Sequence, residues 1–481
     1  MHVSPMQVSL LINGEPLGAR DGATFERRNP LDGSVASVAP AASVQDALAA
    51  VDAAAAAFTA WSATGPEARR ALLIQASRAL QDKAPLFAEA MAAETGASAG
   101  WAEFNVRLAS GMLLEAAAMA TQINGDVIPS DVPGNTATAL RQPAGVVLGI
   151  APWNAAVVLA VRAIATPLAC GNTVVLKGSG MCPATHGLII RTLQEAGLPP
   201  GVVNFITNAP AEAATVVEAM VAHRAVRRVS FTGSTQVGRR IAAACANHLK
   251  PVVLGLSGKT PFVVLDDADL ELTVAAAVKS RFDNAGQTCI AAKRFVLVDA
   301  IADAFVQRFV EAAKARTYGD PQDEATTLAP MARADLRDEL HRQVQESIAK
   351  GAKVLLGCEP LAGSNAGYPA SILDNVVPGM PAYEQELFGP VAAILRVRDE
   401  AEAVRVANDT SFGLGGSVWS KDSARGERVA AQLQCGAAFV NSVVKSDARL
   451  PFGGTKRSGF GRELAEHGIH EFMNIKTIYV A

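Results

Sequence analysis

From residue 144 the chain alternates short β-rich runs with longer helical segments. Val146–Ile150 precedes a helical stretch at 155–169, Thr173–Lys177 precedes 184–196, a strand at 202–206 precedes a helix at 211–221, and a strand at 228–232 precedes a helix at 235–248, before Val252–Leu254. Few folds accept this rhythm. Short β-rich runs alternating with ten-to-fifteen-residue helices predict a parallel sheet covered on both faces. Such a sheet takes its ligands beyond the carboxyl ends of its strands. A second α/β unit starts near 256 and runs to about 440, with Pro261–Leu265, Leu270–Arg281, Ala302–Ala315 and Arg333–Lys350 as its pieces. Upstream, 38–60 and 66–93 read as helices because Ala costs little side-chain entropy. Asn13-Gly14 and Asp32-Gly33 cut 8–36 into strand-like pieces. Asp131–Gly134 breaks a second extended stretch, and Tyr479-Val480 reads as a lone strand that needs neighbours, with another subunit as one source.

Composition removes several classes. A chain of 481 residues, half of them apolar, builds more than one core and is no disordered scaffold. Its 43 basic and 46 acidic residues give no general pull toward nucleic acid or an anionic membrane. Six cysteines without a CxxC pair argue against a disulfide framework or zinc ribbon and fit a reducing compartment. No basic start precedes a long apolar run, and the apolar region 144–176 is broken by Pro152, Asn154, Arg162, Pro167 and Asn172. A cytoplasmic protein without membrane or nucleic-acid partners is expected. Gly258-Lys259-Thr260 resembles the end of a P-loop, but Val253 stands where its first glycine belongs. Asp266, Asp267 and Asp269 read as acids at a helix start, and His467 and His470 lack an HExxH setting, so no metal is expected.

The sharpest chemical candidate is Cys289, in Phe282-Asp283-Asn284-Ala285-Gly286-Gln287-Thr288-Cys289-Ile290. A thiolate is a soft nucleophile that attacks carbonyls, whereas a buried cysteine is inert packing; the Gly-Gln-Thr turn favours a cleft edge without deciding the matter. Attack builds charge on the carbonyl oxygen, which fixed donors must meet. Asn154, at the end of an apolar strand, offers an amide N–H for that task, joined by the Cys289 backbone N–H; the alternative is a helix cap. Lys177 and the run Phe231-Thr232-Gly233-Ser234-Thr235-Gln236-Val237-Gly238 follow strands at the sheet's carboxyl end. A Gly-led turn entering a helix presents N–H groups to a pyrophosphate, and a lysine there can bond a ribose. No GxGxxG is present.

Together these segments resemble the aldehyde dehydrogenase superfamily. The matching runs are APWN at 151–154, GNTVVLK at 171–177, FTGSTQVG at 231–238, FDNAGQTC at 282–289, ELFGPV at 386–391, ANDTSFGL at 407–414 and LPFGGTKRSGFGRE at 450–463. GPEARRALL at 65–73, ETGASAGWAEFNVRLASGM at 94–112 and DVIPSDVPGN at 126–135 look like its salicylaldehyde and benzaldehyde branch. The resemblance implies two parallel-sheet α/β domains and a small β oligomerisation arm. Residues 1–126 and 144–252 would bind the nicotinamide cofactor, 253–440 would form the catalytic domain, and 127–143 with 465–481 would form the arm of a homodimer or homotetramer. It implies NAD or NADP as cofactor and a small aromatic aldehyde as substrate. Cys289 would attack the aldehyde, Asn154 and the Cys289 N–H would hold the oxyanion, hydride would leave to the nicotinamide, and water would release the acid from a thioester. Glu386 would hold the nicotinamide ribose with Phe388 beside it. Ile150, Ala151, Pro152 and Trp153 would line the cofactor cleft, Gly233, Ser234 and Val237 would meet the pyrophosphate near Phe231, and Leu256 would approach the nicotinamide.

Two departures from the family pattern follow. Gly255 occupies the position of the glutamate that activates water, in Gly255-Leu256-Ser257-Gly258-Lys259. Loss of a positioned base typically costs ~10² to 10⁴ in rate, so deacylation is expected to be impaired. Three readings stay open: an introduced change that traps the thioester, another base such as a cleft carboxylate or relayed water, or a thiol acceptor such as coenzyme A. A cofactor-binding protein without turnover is a further alternative, opposed by the intact Cys289 and Asn154. In Lys177-Gly178-Ser179-Gly180, Gly180 replaces a glutamate that would bind the adenosine ribose, which relaxes the bar to NADP; Lys177 and Ser179 are candidate contacts for its phosphate. The substrate pocket is expected around Val158, Leu159, Thr288 and Ile290, beside the small Ala155 and Ala156. Arg162 either meets a substrate hydroxyl, a carboxylate or a protein acid, or forms a surface salt bridge.

Overall fold

The strands Val146–Ile150 and Val203–Ile206 are buried at every residue, so each lies inside a sheet with both faces covered. In the computed structural model, which describes residues 4–481, they belong to a seven-stranded sheet in the order Val252–Gly255, Val226–Thr232, Val146–Ile150, Thr173–Lys177, Val203–Ile206, Leu10–Ile12, Glu15–Leu17. The first five strands run parallel, and the last two add an antiparallel edge. Register is fixed by the strand ends: Ile150 stands opposite both Lys177 and Phe231, and Thr232 stands opposite Gly255. The carboxyl ends named by the sequence reading therefore form one rim.

The second sheet, also seven-stranded, orders Lys353–Leu356, Ser371–Asp374, Val391–Val397, Arg294–Val298, Pro261–Val264, Gly415–Trp419 and Ala437–Val440. Only its first pair is antiparallel. Asp269 caps the helix Leu270–Phe282 by accepting from the N–H groups of Glu271 and Leu272, while Asp266 and Asp267 pair with Arg425 at 2.8 and 3.0 Å. These acids thus complete helix and loop contacts.

A third sheet joins Asp126–Ile128, Thr136–Pro143 and Met473–Val480, all antiparallel. Here the lone-strand expectation for Tyr479-Val480 is corrected: Tyr479 pairs with Ala137 and Val480 with Thr136 of the same chain. The expected helix 38–60 begins later, at Val44, because Val35–Pro40 is a strand and Ser43 forms a capping box with Asp46. The expected helix 66–93 is two, Pro66–Asp82 and Ala84–Thr95, broken where Pro85 opens the second. Among the described residues, no single helix is long and apolar enough to cross a membrane.

Candidate active site

The loop between the helix Leu270–Phe282 and the strand Arg294–Val298 is strained where the chemistry was expected. Asn284, Ala285 and Gly286 are successive left-handed residues, with φ of 51°, 50° and 70°. Left-handed Ala is uncommon and is held only by surrounding contacts. Those contacts are explicit. Arg281 donates to the carbonyls of Gly286 at 2.6 Å and Ala292 at 2.9 Å. The Gln287 carboxamide donates to the Asn284 carbonyl and accepts the Ala332 N–H at 2.9 Å. A Cβ on Gly286 would lie 2.4 Å from the Gly389 carbonyl, so only glycine serves there. Cys289, three residues beyond this turn, is partly exposed, whereas Cys170, Cys182, Cys245 and Cys358 are buried.

Asn154 meets this loop. Its side chain does not cap the following helix, whose N-cap residue is Ala155 without a side-chain bond. The Asn154 amide donates instead to the Gln287 carbonyl at 3.1 Å. Its own carbonyl accepts from Trp101 Nε1 at 3.0 Å and Asn284 Nδ2 at 2.9 Å. The amide is thus held against the cysteine loop and can serve a charge that develops there.

Burial pushes the Cys289 thiol up, and Lys293 and Arg162 pull it back down. Lys293, absent from the sequence reading, is fully buried and donates to the carbonyls of Thr288 at 2.8 Å and Cys289 at 2.9 Å. It also lies 3.1 Å from Glu386 Oε1. That carboxylate accepts the Gly258 N–H at 3.2 Å. Lys259, the residue that suggested a P-loop, is buried and donates to the carbonyls of Ala382 and Gln385, which steadies the segment carrying Glu386. Trp153 and Phe388 meet edge to face at 6.0 Å.

The rim of the first sheet holds the other cofactor candidates. Ser234 caps the helix Thr235–Asn247 by accepting the Val237 N–H, and Val237 itself is exposed. A Cβ on Gly233 would strike the Phe231 ring at 2.5 Å, which keeps the turn bare. Leu256 is buried against Gly238, where any Cβ would clash at 2.4 Å. Ile150 and Ala151 are buried, and Pro152 and Trp153 are partly exposed beside them. A bare turn, a polarised helix start and a held carboxylate fit a nicotinamide dinucleotide. Burial pushes Lys177 down to about 8. The Ser179 N–H donates to His186 Nδ1 at 3.1 Å, and burial lowers His186 to about 3, so a neutral imidazole orients this turn. Around Gly180 the nearest atom to a built Cβ is 3.6 Å away, so a side chain would be accommodated.

Val158 and Leu159 are buried in one apolar cluster, against which Cys289 and Ile290 pack; Thr288 is also buried. Arg162 is not at the surface, which corrects the surface-salt-bridge alternative. Its side chain is 3 % exposed, 3.5 Å from Glu463 Oε2, 2.9 Å from Ser446 Oγ, and stacked 4.1 Å over the Phe452 ring. Its Nε and Nη1 have no hydrogen-bond partner. Glu463 had no assigned role in the sequence; only its contact with Arg162, far away in the chain, reveals it. Gly255, at the end of its strand, leaves its carbonyl accepting the Gly233 N–H at 3.0 Å, with no side chain facing the cleft.

Residues 18–478 match the sequence model of the aldehyde dehydrogenase family. A vanillin dehydrogenase of Pseudomonas fluorescens is 48% identical over 474 residues, 98% of each chain. A salicylaldehyde dehydrogenase of Pseudomonas putida is 43% identical over 477 residues, 99% of this chain and 98% of that one. The crystal structure of the Pseudomonas putida G7 salicylaldehyde dehydrogenase complexed with salicylaldehyde superposes with a TM-score of 0.97 at 42% identity, covering 99% of this chain and 98% of that one.

Proposed function

The chain belongs to the aldehyde dehydrogenase family, an NAD(P)-dependent group that oxidises aldehydes to acids, and from that premise we propose that its substrate is a small aromatic aldehyde. One observation carries the reading: the Asn154 amide does not cap the helix that follows it and donates to the loop that presents Cys289. Cys289 attacks the aldehyde carbon, and its proton passes to solvent as the carbon–sulfur bond forms. The Asn154 amide and the Cys289 N–H meet the oxyanion of the thiohemiacetal. The chemistry that NAD(P)+ supplies when bound is hydride acceptance, which raises that carbon to the thioester level. Glu386, steadied by Lys293 and Gly258, holds the nicotinamide ribose. Gly233, Ser234 and Val237 meet the pyrophosphate, and Ile150 to Trp153, Phe388 and Leu256 line the cleft. Lys177 and Ser179, without a carboxylate at Gly180, accept either NAD+ or NADP+.

Replacing Asn154 with alanine is expected to slow acylation by roughly 10² to 10³, the usual effect of one lost oxyanion donor. A stopped-flow burst of reduced cofactor at the normal rate would dismiss the role.

Aromatic preference rests on Arg162, on the same helix as Val158 and Leu159. Its Nε is without a partner, so a phenolic oxygen gives it an acceptor. A hydrogen bond to a charged group contributes ~1.5–3 kcal/mol. Arg162→Leu is therefore expected to lower kcat/KM for 2-hydroxybenzaldehyde about 10- to 100-fold more than for benzaldehyde. Reading the ratio cancels any loss common to both; equal losses would remove the specificity argument. The β arm supports assembly into a homodimer or homotetramer: Met473–Val480 is an edge strand with Ile475 63% and Tyr479 53% exposed, and apolar edges of that kind pair with other chains.

A further inference from the structure

We infer that the carboxylate of Glu463 takes over proton acceptance in deacylation, acting through water held in the space that Gly255 leaves bare. The inference rests on the dehydrogenase reading above. A Cβ built on Gly255 would have Glu463 Oε2 as a neighbour at 3.9 Å, so this carboxylate faces the spot from which the family's glutamate would project. Glu463 is 4% exposed. Its Oε1 accepts the Ser230 hydroxyl at 3.1 Å. Its Oε2 faces Arg162 Nη1 only at 3.5 Å, and that nitrogen is buried without a hydrogen-bond partner. A buried acceptor thus faces position 255, with an incompletely bonded buried donor 3.5 Å beyond it, a polar setting suited to a bridging water. Glu386, the carboxylate whose charge reaches Cys289, is tied to Lys293 and to the Gly258 N–H, and it is needed for the ribose.

The step balances simply. The water oxygen bonds to the thioester carbon, one of its protons passes along the water relay to Glu463, and the carbon–sulfur bond breaks with its electron pair returning to Cys289 sulfur. The acid leaves, and Glu463 returns its proton to solvent. Charged groups facing Glu463 are Arg162, from the helix Ala156–Ala169, and Glu471, at the end of Ala465–Glu471; Ser230, from Val226–Thr232, faces it as a neutral donor. Burial holds the Glu463 carboxyl above the usual carboxylate range, and Arg162 and Ser230 offset part of that rise. A base with a raised pKa suits proton acceptance near neutrality.

The test follows the acyl adduct on Cys289 by intact-mass spectrometry in a single turnover of the full chain with aldehyde and NAD+. In the unaltered protein, decay should fall about tenfold per pH unit below a midpoint raised above ordinary carboxylates. Glu463→Gln should slow decay about 10²-fold or more and abolish that acidic limb, while Glu463→Asp regains part of both. A folded Glu463→Gln protein that deacylates at the normal rate would overturn the inference. If that variant does not fold, the unaltered protein decides: a pH-independent decay, or decay only when a thiol such as coenzyme A is added, overturns it. Failure of the unaltered protein to form either adduct or reduced cofactor would overturn the dehydrogenase reading as well, so the two failures are distinguishable.

Discussion

Cys289→Ala is expected to abolish turnover, with kcat falling by roughly 10⁶, the scale seen when a covalent nucleophile is removed from a preorganised site. No substitute stands ready. The buried cysteines are remote from solvent, and the other partly exposed one, Cys435, has its thiol bonded to the Ala437 carbonyl at 3.2 Å. The loop should survive the change, because its shape depends on Arg281, Gln287 and Lys293 rather than on the sulfur. The variant should therefore melt like the parent and still bind cofactor. Intact-mass analysis should find no acyl adduct after incubation with aldehyde and NAD+. Reduced cofactor appearing at a rate within tenfold of the parent would show that some other group attacks the carbonyl, and the roles given to Asn154 and Glu386 would need to be rebuilt around it.

The parallel sheets were legible because short β-rich runs such as the wholly apolar Val146–Ile150 alternate with helices, the rhythm of strands buried on both faces. The arm was harder. Met473–Val480 is exposed beyond its first residue, so nothing in its pattern names Thr136–Pro143 as the neighbour it needs. The long helix Ala99–Ala120 was not assigned, although Ser98 caps it by accepting the Trp101 N–H. In the site, local motifs marked Cys289, Asn154 and Glu386. Lys293 and Glu463 were missed for one physical reason. Each is held by partners that chain distance hides: Lys293 by Glu386, and Glu463 by Arg162, facing Gly255. A buried charge declares itself only once its neighbours are known.

Gly255→Glu is expected to raise steady-state turnover by about 10² to 10⁴, because it places a base directly beside a step for which we propose only relayed water. The backbone permits it. Gly255 closes a strand opposite Thr232 and is not among the residues with positive φ. A built Cβ has its closest contact, 3.3 Å, with the Thr232 hydroxyl, which needs to give only a few tenths of an ångström. The electrostatics set the form of the result. A carboxylate at 255 would stand beside Glu463, and two acids sharing one buried site cannot both ionise easily. One proton is then held between them, and the pair should titrate with two apparent pKa values rather than one. The hydride burst expected of the parent should merge into the steady state, and the acyl adduct on Cys289 should drop below detection during turnover. Glu463→Gln should become nearly silent in this background, since the new carboxylate no longer needs the relay. If Gly255→Glu keeps the burst and leaves kcat within a factor of two of the parent, hydrolysis was never the slow step, and the missing carboxylate would have no bearing on the rate.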